Sequence, residues 1–161
     1  MNFSTEHLRD QMLKLSRLNG HLTYRISKLS KLLDAEAAHR LKGTGINLTT
    51  YRIMLIISIF EEITVSDLAR LMVIDRAQVS RLATEMTRQG YLTSKPDKSN
   101  KLKKLLMLTD AGHERFAALR ERFKDRSELV TNQANEDELE ILWTIIDRVT
   151  LDLTDRIETL N

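Results

Sequence analysis

The sequence predicts a mainly α fold with a small β-hairpin, and three observations carry that prediction. Apolar residues recur every three or four positions through most of the 161 residues, the spacing of amphipathic helices. Two short helix signatures, Val65–Leu71 and Arg76–Gln89, stand only four residues apart, which leaves room for a tight turn and nothing else. The two segments with strand character, Leu92–Lys95 and Lys104–Leu108, lie on either side of Pro96, the chain's one proline. Helix, turn, helix and hairpin in that order read as a winged helix-turn-helix, with N- and C-terminal dimerisation helices on its flanks. The expected division is 1–47 for the N-terminal dimerisation helices, 48–112 for the winged module and 113–161 for the C-terminal dimerisation helices, in one compact domain per chain.

Each element has a local reason. Leu8, Met12 and Leu15 make a helix of Thr5–Leu18, and Gly20 breaks it. Leu22, Ile26, Leu29, Leu33, Ala37 and Leu41 form a longer stripe that stops at the turn signal Gly43-Thr44-Gly45. Asn47 suits the N-cap of Leu48–Phe60, whose apolar residues are dense enough for burial on most sides. Thr64 caps Val65–Leu71, with Asp67 three residues on, and Asp75 caps Arg76–Gln89. Gly90 fits the left-handed position that ends that helix. Thr109 opens a long helix to about Val130. Asn135 with Glu138 opens the last one, with Leu139, Leu142, Ile146, Val149 and Leu153 on one face.

Composition removes whole classes of function. There is no cysteine, so disulfides, thiolate metal sites and thiol redox sensing are excluded. The longest apolar run, Ile53–Phe60, is interrupted by Ser58 and is too short to span a bilayer. The N-terminus, with Glu6 and Asp10, lacks the basic-then-apolar order of a signal peptide, so a cytoplasmic location is expected. No Gly-rich phosphate loop and no framework of paired carboxylates accompany these features, and an enzyme is not expected. His7, His21, His39 and His113 fall in separate segments without chelating spacing, so neither a metal nor another cofactor is expected.

The net charge of +2 conceals a division. Between Asp75 and Lys104 stand eight basic residues against three acidic ones, whereas Asn135–Asn161 holds eight acidic residues and two arginines. A basic module attached to an acidic helical tail directs one surface at a polyanion and turns the rest away from it. On the helix from Arg76, the inward stripe Val79, Leu82, Ala83 and Met86 leaves Arg76, Gln78, Ser80, Arg81 and Thr84 facing outward. Arginine can bridge guanine O6 and N7, glutamine can pair with adenine, and serine can reach a base edge or a phosphate. Ser66 stands at the start of the preceding helix, where a hydroxyl and helix amides suit a phosphate. Lys98, Lys101 and Lys103 sit in the hairpin turn as further phosphate contacts.

Four segments taken together resemble the MarR family of bacterial transcription regulators. They are Gly45–Met54, the Val65–Arg81 motif, Gly90-Tyr91-Leu92, and Leu108-Thr109-Asp110-Ala111-Gly112 after the wing. The resemblance runs from about Leu22 to Gly112. It implies a winged helix-turn-helix homodimer that binds a pseudo-palindromic operator in double-stranded DNA and regulates nearby promoters, and a small organic effector as a further partner. One departure stands out. The family's wing usually carries Asp-x-Arg, and here those positions read Asn100-Lys101-Leu102. The arginine that relatives send into the minor groove is absent, and Lys101 and Lys103 supply point charge rather than a planar fork. That substitution supports an alternative reading, a winged-helix protein-interaction module with weak DNA affinity.

Overall fold

A computed structural model describes residues 5–97 and 103–160, so Lys98 and the Asn100-Lys101-Leu102 segment, with the expectation for Lys101, lie outside the described residues. The chain divides into two compact units, Met1–Arg122 and Phe123–Asn161. The first contains α1 (Thr5–Asn19), α2 (Leu22–Arg40), α3 (Leu48–Phe60), β1 (Ile63–Thr64), α4 (Val65–Met72), α5 (Arg76–Arg88), β2 (Leu92–Pro96), β3 (Lys104–Leu108) and α6 (Asp110–Arg120). The second contains α7 (Glu128–Thr131) and α8 (Glu136–Leu160), after a 3-10 turn at Glu121–Phe123.

The mainly helical fold with its winged helix-turn-helix is present, and the hairpin proves to be part of a three-stranded antiparallel sheet in the order β1-β3-β2. Leu106 sits between Ile63 on one side and Ser94 on the other. The core gathers at this sheet. Ile53, Met54 and Ile57 of α3, Leu68 of α4, Val79 and Met86 of α5 and Leu92 of β2 are all within 2 % of complete burial. That packing, more than propensity, holds the two short helices in place.

The helix caps form as the sequence predicts. Asn47, Thr64, Asp75 and Thr109 each accept from the backbone N–H three residues on. Asn135 and Glu138 cap reciprocally, at 2.9 Å in both directions. Gly90 takes φ +80, and Tyr91 N–H and Gly90 N–H donate back to Met86 and Thr87, the paired bonds of a left-handed helix ending.

The turn between α4 and α5 repeats that hydrogen-bond pattern with a different residue. Ile74 N–H reaches Ala69 and Val73 N–H reaches Arg70, with Val73 at φ +52, ψ +46. A β-branched residue in the left-handed region is under strain, and Val73 is 79 % exposed, so few contacts compensate. Val73→Gly is expected to raise the unfolding free energy by roughly 1 kcal/mol, strain relief outweighing the added entropy of the unfolded chain. A urea midpoint at or below that of the parent, with unchanged slope, would show that the valine side chain stabilises the turn by packing that offsets its backbone.

Two boundaries differ from expectation. The helix expected from Thr109 to about Val130 ends at Arg120, because Arg122 turns its guanidinium to the carbonyls of Arg40 and Lys42 while Arg40 donates to the carbonyl of Arg122. These exchanged bonds tie the end of α2 to the 3-10 turn that follows α6. The expected division at residues 112 and 113 also cuts through α6, which packs on α3 through Tyr51 and Phe116, their ring centroids 5.8 Å apart. The helix therefore belongs with the first unit.

Candidate nucleic-acid interface

The outward face of α5 follows from its inward one. Val79, Ala83 and Met86 are buried, and at 100° per residue the opposite face centres on Ala77, Arg81, Thr84 and Arg88, with Ser80 and Gln78 on its two edges. Arg81, Gln78, Ser80 and Thr84 are all exposed. Ala77 at the centre is small, so the helix can approach a surface closely there. The Thr84 hydroxyl donates to the Ser80 carbonyl at 2.9 Å, which leaves its oxygen as an acceptor.

Arg76 departs from this group. As the first residue of α5 its side chain lies about 140° from that of Arg81, on the flank toward α4 and the sheet. There it lines a cleft of 230 Å³ with Thr64, Val65 and Ser66 from the start of α4 and Lys103 and Lys104 from the start of β3. The expected contacts thus separate into two groups. Ser66, Arg76 and Lys103 converge on one concavity, and Gln78, Ser80, Arg81 and Thr84 form an exposed helix face. Lys104 also belongs to the cleft, and in the sequence the Lys103-Lys104 doublet is the only signal of it.

Ion pairing sorts the basic residues further. Arg88 forms a two-pronged pair with Glu85, at 2.9 and 2.6 Å. The hydrogen bond from Arg88 holds the Glu85 carboxyl below the ordinary carboxylate range, and Glu85 in turn raises Arg88. Lys95 pairs with Glu62 across β3, and Arg70 pairs with Asp67. Arg76, Arg81, Lys103 and Lys104 have no such acidic partner among the described residues. Three like charges round one small cleft repel one another in the absence of an anion, and a phosphate would relieve that repulsion while accepting from the Ser66 hydroxyl.

Tyr51 and Arg52, at the border of α3, are engaged in packing and pairing. Tyr51 is buried against Phe116, and Arg52 meets Asp34 of α2 at 2.5 Å. Among the described residues no cluster of three potential metal ligands occurs, and no helix is long and apolar enough to cross a membrane.

A family model described as MarR family matches residues 44–101. Among solved structures, a MarR family transcriptional regulator from Silicibacter pomeroyi DSS superimposes with a TM-score of 0.78 at 20% identity, covering 87% of this chain and 94% of that one. A mutant MarR from E. coli complexed with operator DNA gives a TM-score of 0.67 at 18% identity, with 87% and 96% of the two chains covered. CouR from Rhodococcus jostii RHA1 bound to p-coumaroyl-CoA gives 0.73 at 16% identity, with 82% and 93% covered. These likenesses are of fold. No curated protein sequence matches the chain.

Proposed function

We propose, on the premise that this chain belongs to the MarR family, that it is a homodimeric, sequence-specific DNA-binding regulator acting in the cytoplasm. The observation that carries the reading is the division of the basic surface into a cleft ringed by Arg76, Lys103 and Lys104 and an exposed helix face. The first fixes position on a duplex and the second reads it. Arg81, Gln78, Ser80 and Thr84 meet base edges in the major groove. Ser66, Arg76, Lys103 and Lys104 hold a backbone phosphate. The solved complex of the E. coli protein with operator DNA supports the class of partner.

Dimerisation is favoured by what the helices leave uncovered. Met12 and Leu15 on α1, Leu22, Ile26 and Leu29 on α2, and Ile141, Ile146 and Leu153 on α8 are all between 45 % and 69 % exposed. Apolar faces of this length ask for a partner, and a two-fold pair of modules suits a pseudo-palindromic site with half-sites about 34–36 Å apart. Control by a small organic ligand completes the reading, with the p-coumaroyl-CoA complex of CouR as its support. Such a ligand acts only through different affinities for DNA-competent and incompetent arrangements of the dimer.

Fluorescence anisotropy with the duplex upstream of the protein's own coding region, against a shuffled duplex of equal length, tests the function. Preference for the upstream duplex by about a thousandfold or more is expected at physiological salt. Equal affinity for both would remove sequence-specific reading. Absence of binding even at low salt would instead leave the protein-interaction module as the function.

A further inference from the structure

The chain passes from α2 to the winged module through residues 41–47, and within them Gly43 and Gly45 take φ +79 and +75. A β-carbon at either would meet nothing within 4 Å, so the surroundings do not hold them. Glycine on both sides of Thr44 makes this connection a hinge, free to turn unless something grips it. Its local bonds centre on Thr44, whose hydroxyl donates to the Leu41 carbonyl at 2.7 Å and accepts from Ile46 N–H at 3.1 Å.

Two arginines supply the grip. Arg115 of α6 donates from Nη2 to the Thr44 carbonyl, between the two glycines. Arg122, in the 3-10 turn after α6, donates to the Arg40 carbonyl at 2.9 Å and to that of Lys42 at 3.5 Å. Alternate carbonyls of the connection are thus bound by guanidinium groups from outside it. Arg115 does this at a cost, because its Nε is buried with no partner among the described residues. A methionine would fill the same length without that penalty, so what arginine adds here is the hold on Thr44. α6 also bears on the other end of the module. It follows Thr109, whose hydroxyl donates to the Gly90 carbonyl just past α5, and Phe116, beside Arg115, packs on Tyr51 of α3.

We infer that Arg115 and Arg122 are positioning residues for DNA binding. By fastening the Gly43-Thr44-Gly45 hinge to α6 they fix the angle between α2 and α5, and so the half-site spacing that the dimer accepts. The inference rests on the dimeric DNA-binding reading above, in which the exposed apolar face of α2 meets the partner. Neither arginine touches DNA in this role. Each base pair added between half-sites shifts one of them by about 3.4 Å and turns it by about 34–36°. A hinge held at Thr44 cannot follow that movement. Released, its two glycines can turn the module to meet it, at the expense of spacing selectivity.

The test measures fluorescence anisotropy of the full chain with the duplex upstream of its own coding region, intact or with one base pair inserted at the centre of the pseudo-palindrome. The parent is expected to lose about a hundredfold in affinity on insertion, as one of its two half-site contacts is given up. Arg115→Met with Arg122→Met should reduce that penalty to about tenfold or less, since both half-sites stay engaged. Affinity for random duplex and the salt slope should match the parent, because no phosphate contact is removed. Arg115→Lys with Arg122→Lys keeps a donor for each carbonyl and should restore the penalty. If the paired methionine change lowers the urea midpoint so far that the chain is unfolded, Arg115→Met alone, which also removes the unpartnered Nε, carries the comparison. An unchanged penalty in the folded methionine variant overturns the inference and leaves the dimeric reading standing. A penalty lost as fully with lysine as with methionine assigns the effect to packing and overturns it too. A parent indifferent to the insertion removes the two-half-site reading itself, and the inference with it.

Discussion

Gly112→Ala is expected to destabilise the chain by about 3 kcal/mol or more, the largest stability loss of any single methyl group added at a glycine here. A β-carbon at this position would stand 2.2 Å from the Tyr91 carbonyl oxygen, far inside contact distance. That oxygen cannot yield. It accepts the Thr109 N–H at 3.1 Å, and Tyr91 is itself fixed by the bond from its N–H to Met86 at the end of α5. The alternative is for α6 to move, but its first turn is held by Thr109, whose hydroxyl oxygen accepts from Gly112 N–H and whose proton goes to the Gly90 carbonyl. Further along, Phe116 and Leu119 are buried in the core. The strain therefore cannot be released locally, and it couples the end of α5 to the start of α6. By contrast, a methyl group at Gly90 would meet nothing within 4 Å, and the cost there, roughly 1–2 kcal/mol, comes from its left-handed backbone alone. Urea unfolding of the two variants separates the mechanisms. A loss at Gly112 no greater than at Gly90 would mean that α6 shifts more easily than its bonds suggest.

Gly112 also shows where a sequence stops informing. The Thr109-Asp110-Ala111-Gly112 segment reads as a helix start, and the cap is there, but the need for glycine comes from a carbonyl twenty-one residues earlier. The same holds elsewhere. α1 to α5 and both wing strands are legible because each has a strong local signal: an apolar period, a cap or a turn glycine. β1 is not, since two residues, Ile63 and Thr64, have no period to read. The left-handed turn at Val73 carries no glycine to announce it. The break after Arg120 depends on arginines 82 residues apart in the chain, Arg40 and Arg122. In the candidate interface, residue type and helix phase are readable for Gln78, Ser80, Arg81 and Thr84. The company of Arg76 is not, because the cleft is made by α4, α5 and β3 only when they fold together. Pairing is equally hidden. Arg88 and Lys95 count toward a basic segment in the sequence, yet Glu85 and Glu62 offset both.

Arg81→Ala is expected to weaken cognate binding by roughly 1–3 kcal/mol per half-site and random-sequence binding far less. In a dimer the effect doubles. Arg81 sits at the centre of the exposed face of α5, where Ala77 permits close approach, and no carboxylate among the described residues holds its guanidinium. The cleft should behave in the opposite way. Arg76→Ala, Lys103→Ala and Lys104→Ala remove charge around a single concavity, so they should weaken cognate and random duplexes alike. They should also flatten the plot of log K against log salt by about one unit for each phosphate the variant no longer neutralises. Arg76 decides between groupings. Placed by sequence among the base-reading residues and by structure in the cleft, it should alter the salt slope and spare specificity. If Arg76→Ala instead relaxes specificity with the slope unchanged, its side chain swings out of the cleft on binding and reads a base. Lys95→Ala serves as the control, because its charge is already met by Glu62 and its removal should change the slope little. Should Lys95→Ala flatten the slope as much as Lys103→Ala, the pair with Glu62 opens on DNA, and the sorting of cations by ion pairing fails as a guide to the interface.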